Sequence, residues 1–192
     1  MCAFDFILIL FSFVYAAAIT HVLSTAGEII IEAKRIRLSW FNAGWMLATL
    51  LFTCGWWIGL WDLHSRTSWH IGSIAFFFSM AAGIYLLARL VSPRITEAGE
   101  IDLQKFHAEE GRKYLVAYAI LSWITAAANA LIGQANGISQ WPEQNIAIVP
   151  MALATTIAAI FIKRPWVQGL AAVIQIGGWI WYYAALQTPL AG

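Results

Sequence analysis

The sequence predicts an all-α fold: a polytopic membrane protein, built as a bundle of six transmembrane helices with both termini on the non-cytoplasmic side. Three observations carry this reading. Hydrophobic residues make up 61% of the chain and charged residues 11%, with a mean hydropathy of +0.72, whereas an average soluble domain carries about 25% charged residues. Six apolar runs approach the length of about 20 residues that a helix needs to cross roughly 30 Å of hydrocarbon. They are continuous rather than alternating, which argues against a β-barrel. Finally, the basic residues fall on alternate connections between the runs.

The first run covers residues 4–23. It lacks the basic leading region and clean small-residue cleavage site of a removable signal peptide, although Ala16, Ala17 and Ala18 superficially suggest one. It is therefore expected as a retained helix. No proline interrupts residues 24–37, and Glu32 can pair with Arg35 at i,i+3, so the helix should project a charged end past the bilayer as a docking handle for another subunit. The second and third runs cover 41–61 and 71–91, the latter closed by Pro93. A cytoplasmic loop is expected over about 92–113. Its mixed charges with Ile101, Leu103 and Phe106 fit either a solvated connector or a short interfacial helix leading into the fourth run. That run covers 114–133. The outer connection 134–144 holds Gly137 and Pro142 and no basic residue. Runs five and six cover 145–162, with Pro150 near its start, and 167–186. The 192 residues form one transmembrane domain.

Orientation follows from lysine and arginine, which accumulate on cytoplasmic loops. Lys34, Arg35 and Arg37 follow the first run. Arg89, Arg94, Lys105, Arg112 and Lys113 lie between the third and fourth or at their facing ends, and Lys163 and Arg164 separate the last two. Only Arg66, of eleven such residues, falls on the other side. Both termini are thus expected to be periplasmic, in a bacterial inner membrane. Tryptophans prefer the headgroup level, which assigns Trp56, Trp57, Trp61, Trp69, Trp141, Trp179 and Trp181 to an outer belt and Trp40, Trp45 and Trp166 to an inner one.

Composition also excludes functions. A net charge of +1 offers no concentrated basic face for nucleic acid. Cys2 and Cys54 form no metal-like spacing. No Ser/His/Asp set, H-E-x-x-H element or phosphate loop is present. The partners expected are the bilayer and other membrane subunits. Small residues such as Ala126, Ala127 and Ala128 or Gly177 and Gly178 suit close helix packing, and Asn129 and Gln175 can bond between helices. The segments 54–60 and 177–183 echo one another as "CGWWIGL" and "GGWIWYY", a hint of internal repetition.

Ionisable residues inside a span mark candidate sites. His21 is the one such residue besides cysteine, with Thr25, Glu28 and Glu32 along the same side at i+4, i+7 and i+11. Three readings are open. The stripe is a structural hydrogen-bonding face; or His21 ligates a tetrapyrrole, with Ala17 four residues earlier making room for the ring, as in the pigment-binding element of bacterial antenna polypeptides; or it belongs to a proton or cation path. A quinone or another lipid-like ligand against the outer aromatics is a further possibility. Asp62, His64 and His70 are candidates for an outer metal site.

Ile19-Thr20-His21-Val22-Leu23-Ser24, Arg35-Ile36-Arg37-Leu38-Ser39-Trp40, Trp56-Trp57, and Pro93 followed by Ile101-Asp102-Leu103 together resemble an uncharacterised group of bacterial six-helix integral membrane proteins. The likeness covers about the first two-thirds of the chain. It implies the helix count and a bacterial source, and no activity. The function expected is that of a non-catalytic accessory or structural subunit of a larger membrane complex, with a small-molecule or ion transporter or channel as the alternative.

Overall fold

The structure, a computed structural model, describes residues 3–64, 69–95, 101–135 and 140–185, without the side chains of 3, 134, 135 and 140–142. Cys2, Arg66, Gly137, residues 97–100 and the side chains of Trp141 and Pro142 therefore lie outside the described residues.

Six α-helices dominate: α1 (Ala3–Ile31), α2 (Trp40–Gly59), α3 (Ile71–Val91), α4 (Leu103–Ala135), α5 (Gln140–Ile160) and α6 (Pro165–Ala185). A turn of 3-10 helix, Leu60–Leu63, extends α2, and two short strands, β1 (Ile36–Arg37) and β2 (Ile101–Asp102), pair in parallel. The described residues are all-α apart from that pair, and α1 to α5 are long and apolar enough to cross a membrane. The sixth expected run forms α6 but is less apolar. Gln168 and Gln175 lower its hydropathy, and both are buried inside the bundle, where polar side chains can be satisfied by neighbouring helices.

The 29 residues of α1 and 33 of α4 give helices about 44 and 50 Å long at 1.5 Å per residue. Both overrun a hydrocarbon core. The segment expected as a loop over 92–113 is helical from Leu103 onward, continuous with the fourth run. Asp102 starts it: its Oδ1 accepts the backbone N–H of Gln104 at 2.8 Å and of Lys105 at 3.0 Å, which satisfies two otherwise orphaned donors of the first turn.

Central α2 touches α1, α3, α4 and α6, while α5 stands between α4 and α6. In the first three helices α1 lies against α3, whereas α4 and α6 are held apart along most of their length by α5 and α2. The two halves therefore pack differently. The echoing segments of α2 and α6 instead face each other: a Cβ on Gly55 would lie 2.5 Å from Cζ3 of Trp179, and Tyr183 Oη donates to the Leu51 carbonyl at 2.5 Å.

Hydrogen bonds tie the helices across the core. Asn42 Nδ2 donates to the Val91 carbonyl at 3.0 Å, Trp56 Nε1 to Thr125 Oγ1 at 2.9 Å, Tyr118 Oη to the Ala48 carbonyl at 3.1 Å, and Trp179 Nε1 to Tyr118 Oη at 3.1 Å. Gln175 Nε2 bonds the Met151 carbonyl at 2.7 Å and also Thr155 Oγ1, and Asn145 Nδ2 bonds the Ala126 carbonyl at 2.9 Å. Gln168 Nε2 donates to the Ala158 carbonyl at 2.8 Å, closing a carbonyl that the end of α5 leaves open. Buried threonines 49, 53, 125 and 155 bond back to the carbonyl four residues earlier, so each hydroxyl is satisfied within its own helix. Two tryptophans assigned to belts belong to this core instead. Trp45 is 0% and Trp179 3% exposed, because each ring fills space between helices and packs on Tyr118 or Phe52.

Candidate functional site

Contacts gather three connections at one end of the bundle. Strands β1 and β2 join the α1–α2 and α3–α4 connections, with Ile101 N–H donating to the Arg35 carbonyl at 3.1 Å. The α5–α6 turn reaches the same end, where Ile162 Cδ1 comes within 3.1 Å of a Cβ placed on Gly111 of α4. Ten of the eleven lysines and arginines are therefore collected there. The described residues of the opposite end carry Asp5, Asp62 and Glu143 and no lysine or arginine.

At this basic end, the last turns of α1 and α3, the start of α4 and β2 line an open cavity of about 900 Å³. Its polar lining includes His21, Ser24, Thr25 and Glu28 of α1, Arg89 and Arg94 at the end of α3, and Glu110 of α4. Leu90, Pro93, Ile95, Ile101 and Phe106 supply an apolar wall. Three of the four residues of the expected stripe thus share one chamber. Glu32 does not line it and pairs with Arg35 at 3.1 Å. Thr25 is buried and donates to the His21 carbonyl at 3.0 Å.

Arg89 Nη1 lies 3.4 Å from His21 Nδ1. A guanidinium can only donate, so Nδ1 is the acceptor and the ring proton sits on Nε2. In this tautomer Nε2 carries the proton, so a tetrapyrrole metal could take Nε2 only after that proton moved to Nδ1 and Arg89 swung away; Ala17 is on the exposed face of α1 outside the cavity. Among the described residues four ion pairs form: Arg35–Glu32, Arg37–Asp102, Lys105–Glu109 and Lys113–Glu110, the last at 2.5 Å. Glu110 is thereby neutralised, while Glu28, Arg89 and Arg94 form no ion pair with another described residue.

Asp102, beside the chamber, is held below the ordinary carboxylate range, first by the Lys105 backbone N–H, then by the Gln104 N–H and the guanidinium of Arg37 at 3.4 Å. On the other side of α1 an apolar groove of about 350 Å³ runs along α2, lined by Val22, Ala26, Ile29, Trp40 and Met46 among others.

A second polar cluster lies behind the first, and the sequence pattern did not reveal it. His107, expected in a loop, is 5% exposed, lies tilted against Phe41 with ring centroids 5.6 Å apart and shares a hydrogen bond with Tyr114 seven residues along α4. Tyr114 in turn meets the side chain of Asn42. The spacing of seven, two helical turns, is the signal that places both on one face.

Near the opposite end Asn129, 8% exposed, lines a cavity of about 40 Å³ with Thr125, Gln144, Trp179 and Tyr182, space for about one water. Gln175 makes the α5–α6 bonds described above. The His64 ring stacks on Trp61 at 5.4 Å, with Nδ1 2.8 Å from the Trp61 carbonyl. No group of three metal-ligating side chains forms among the described residues.

Comparison of the chain with protein-family models, with curated proteins and with solved structures finds no match. The class of protein therefore rests on the fold and composition: a multi-pass helical protein whose apolar helices suit a lipid bilayer.

Proposed function

We propose that the chain is a six-span protein of a bacterial inner membrane, with both termini periplasmic, that serves as a non-catalytic subunit of a larger membrane complex. We also place it with the uncharacterised six-helix group it resembles. The observation that carries the functional reading is where the interior polar groups go. The donor groups of Asn42, Trp56, Tyr118, Asn145, Gln168, Gln175 and Trp179 join one helix to another, which supports a scaffold. Exposed apolar side chains such as Phe6, Phe13, Ile30 and Ile31 of α1 supply faces for lipid and neighbouring subunits. The collection of ten basic residues at one end supports the orientation.

Gentle purification from native membranes tests the subunit reading. Stoichiometric companions are expected, and a clean monomer or homodimer would sink it. A terminal reporter fusion active only in the periplasm tests the orientation. The alternative, a transporter or channel, draws on the buried polar residues Asn129 and Gln175 within the bundle. It predicts proteoliposome flux that is lost when Asn129 and Gln175 are both changed to alanine.

A further inference from the structure

We propose that the cavity between α1, α3 and α4 binds the headgroup of a zwitterionic phospholipid whose head joins a phosphodiester to a primary amine. This rests on the bilayer reading above and adds to it a specific occupant. The chamber lies where such a head would sit, at the bundle's basic end, with Arg89 in the last turn of α3 and the exposed apolar side chains of Leu86 and Leu90 beside it.

Its charges select the ligand. Arg89 and Arg94 line the chamber without an ion-pair partner among the described residues, and so does the carboxylate of Glu28, whereas Glu110 is already held by Lys113. A simple anion would satisfy the arginines and meet Glu28. A simple cation would do the reverse. A head carrying both signs satisfies all three. Guanidinium groups match phosphate oxygens in a planar, two-pronged geometry. An ammonium brings three donors to Glu28 and to the hydroxyl oxygens of Ser24 and Thr25.

A quaternary amine has no such donors and is ordinarily held by several aromatic faces. Phe106 is the one aromatic side chain lining this chamber apart from the His21 ring, which favours the primary amine. The wall of Leu90, Pro93, Ile95, Ile101 and Phe106 faces the glycerol and the first acyl carbons. The volume of about 900 Å³ falls in the range, roughly 300–1,000 Å³, of pockets that enclose small ligands.

The test uses the full chain purified in a non-ionic detergent, titrated in parallel with dioleoyl phosphatidylethanolamine, phosphatidylglycerol and phosphatidylcholine, with retained lipid counted by native mass spectrometry. Phosphatidylethanolamine should be retained about tenfold better than the other two, the scale of one charge-assisted interaction. Glu28→Gln, a near-isosteric change of an exposed side chain, should abolish its advantage over phosphatidylglycerol. Arg89→Ala with Arg94→Ala should remove retention of both lipids, while the corresponding lysine pair keeps part of it.

Equal retention of the three lipids, or a preference untouched by Glu28→Gln, would overturn the site. Displacement by soluble phosphoethanolamine at micromolar concentration would overturn the lipid as its occupant. Flotation with vesicles of phosphatidylcholine alone reads insertion separately: failure to float defeats the bilayer reading, whereas flotation without headgroup preference defeats only the lipid site.

Discussion

Replacing Gly55 by alanine should destabilise the bundle more than its one added methyl suggests. The new Cβ would stand 2.5 Å from Cζ3, 3.1 Å from Cη2 and 3.3 Å from Cε3 of Trp179, where carbon atoms normally keep 3.5–4.0 Å apart. The rigid indole must retreat by about 1 Å. It is hemmed in by Phe52 and Tyr182, with ring centroids 5.6 and 5.2 Å away. Overpacking of this kind costs about 1–3 kcal/mol, and displacing Trp179 Nε1 from Tyr118 Oη adds about 1 kcal/mol, for a total of about 2–4 kcal/mol. Denaturant unfolding in mixed micelles, followed by tryptophan fluorescence, measures it. Gly177→Ala is the control: its Cβ would meet nothing within 4 Å, so the change should be neutral or slightly stabilising, alanine being favoured over glycine in a helix by up to about 1 kcal/mol. Adding Trp179→Phe to Gly55→Ala should recover at least about 1 kcal/mol relative to additivity. A Gly55→Ala protein within about 0.5 kcal/mol of wild type, or an additive double variant, would refute the reasoning.

Gln175→Glu should cost about 3 kcal/mol or more in the same unfolding assay, since it puts a carboxylate on a fully buried position facing the Met151 carbonyl; an unchanged midpoint would mean that water reaches the α5–α6 seam. Asp102→Ala should fray the first turn of α4, seen as faster hydrogen exchange at Gln104 and Lys105, while Asp102→Asn keeps the cap. Because the folded carboxyl titrates below its ordinary range, its contribution is present at neutral pH and lost as pH falls through that depressed value; protection in this turn that is indifferent to acid would contradict the capping role. Purified protein with visible absorption should lose those bands on His21→Ala if a tetrapyrrole sits there, and unchanged bands exclude His21 as the ligand.

Helix type and number were legible because unbroken apolar runs leave the backbone few alternatives in lipid. The start of α4 was not, because Glu109, Glu110, Arg112 and Lys113 read as a solvated loop. They are tolerated in helix because Lys105–Glu109 and Glu110–Lys113 pair along its surface and Asp102 caps it. The stripe of His21, Thr25 and Glu28 followed from helical spacing alone. Its counterparts Arg89 and Arg94 did not, since orientation had already accounted for their charge and only packing of α3 on α1 brings them to the same chamber. Trp45 and Trp179 show the matching difficulty for aromatics: an indole beside a headgroup and one wedged between helices look alike until the partner, here Tyr118 or Gly55, is known.

The parallel clasp of Ile36–Arg37 on Ile101–Asp102 also sets an order of events during synthesis. Its halves are separated by 65 residues along the chain, about 3–13 s of translation at 5–20 residues per second. During that interval α2 and α3 are made, while α1 lacks its lock to the α3–α4 connection and the headgroup chamber lacks its α4 wall. Assembly of that chamber is therefore a late step, completed only when the fourth helix begins to emerge. A chain truncated before Ile101 would expose an open-sided α1–α3 seam to whatever quality-control machinery surveys the membrane.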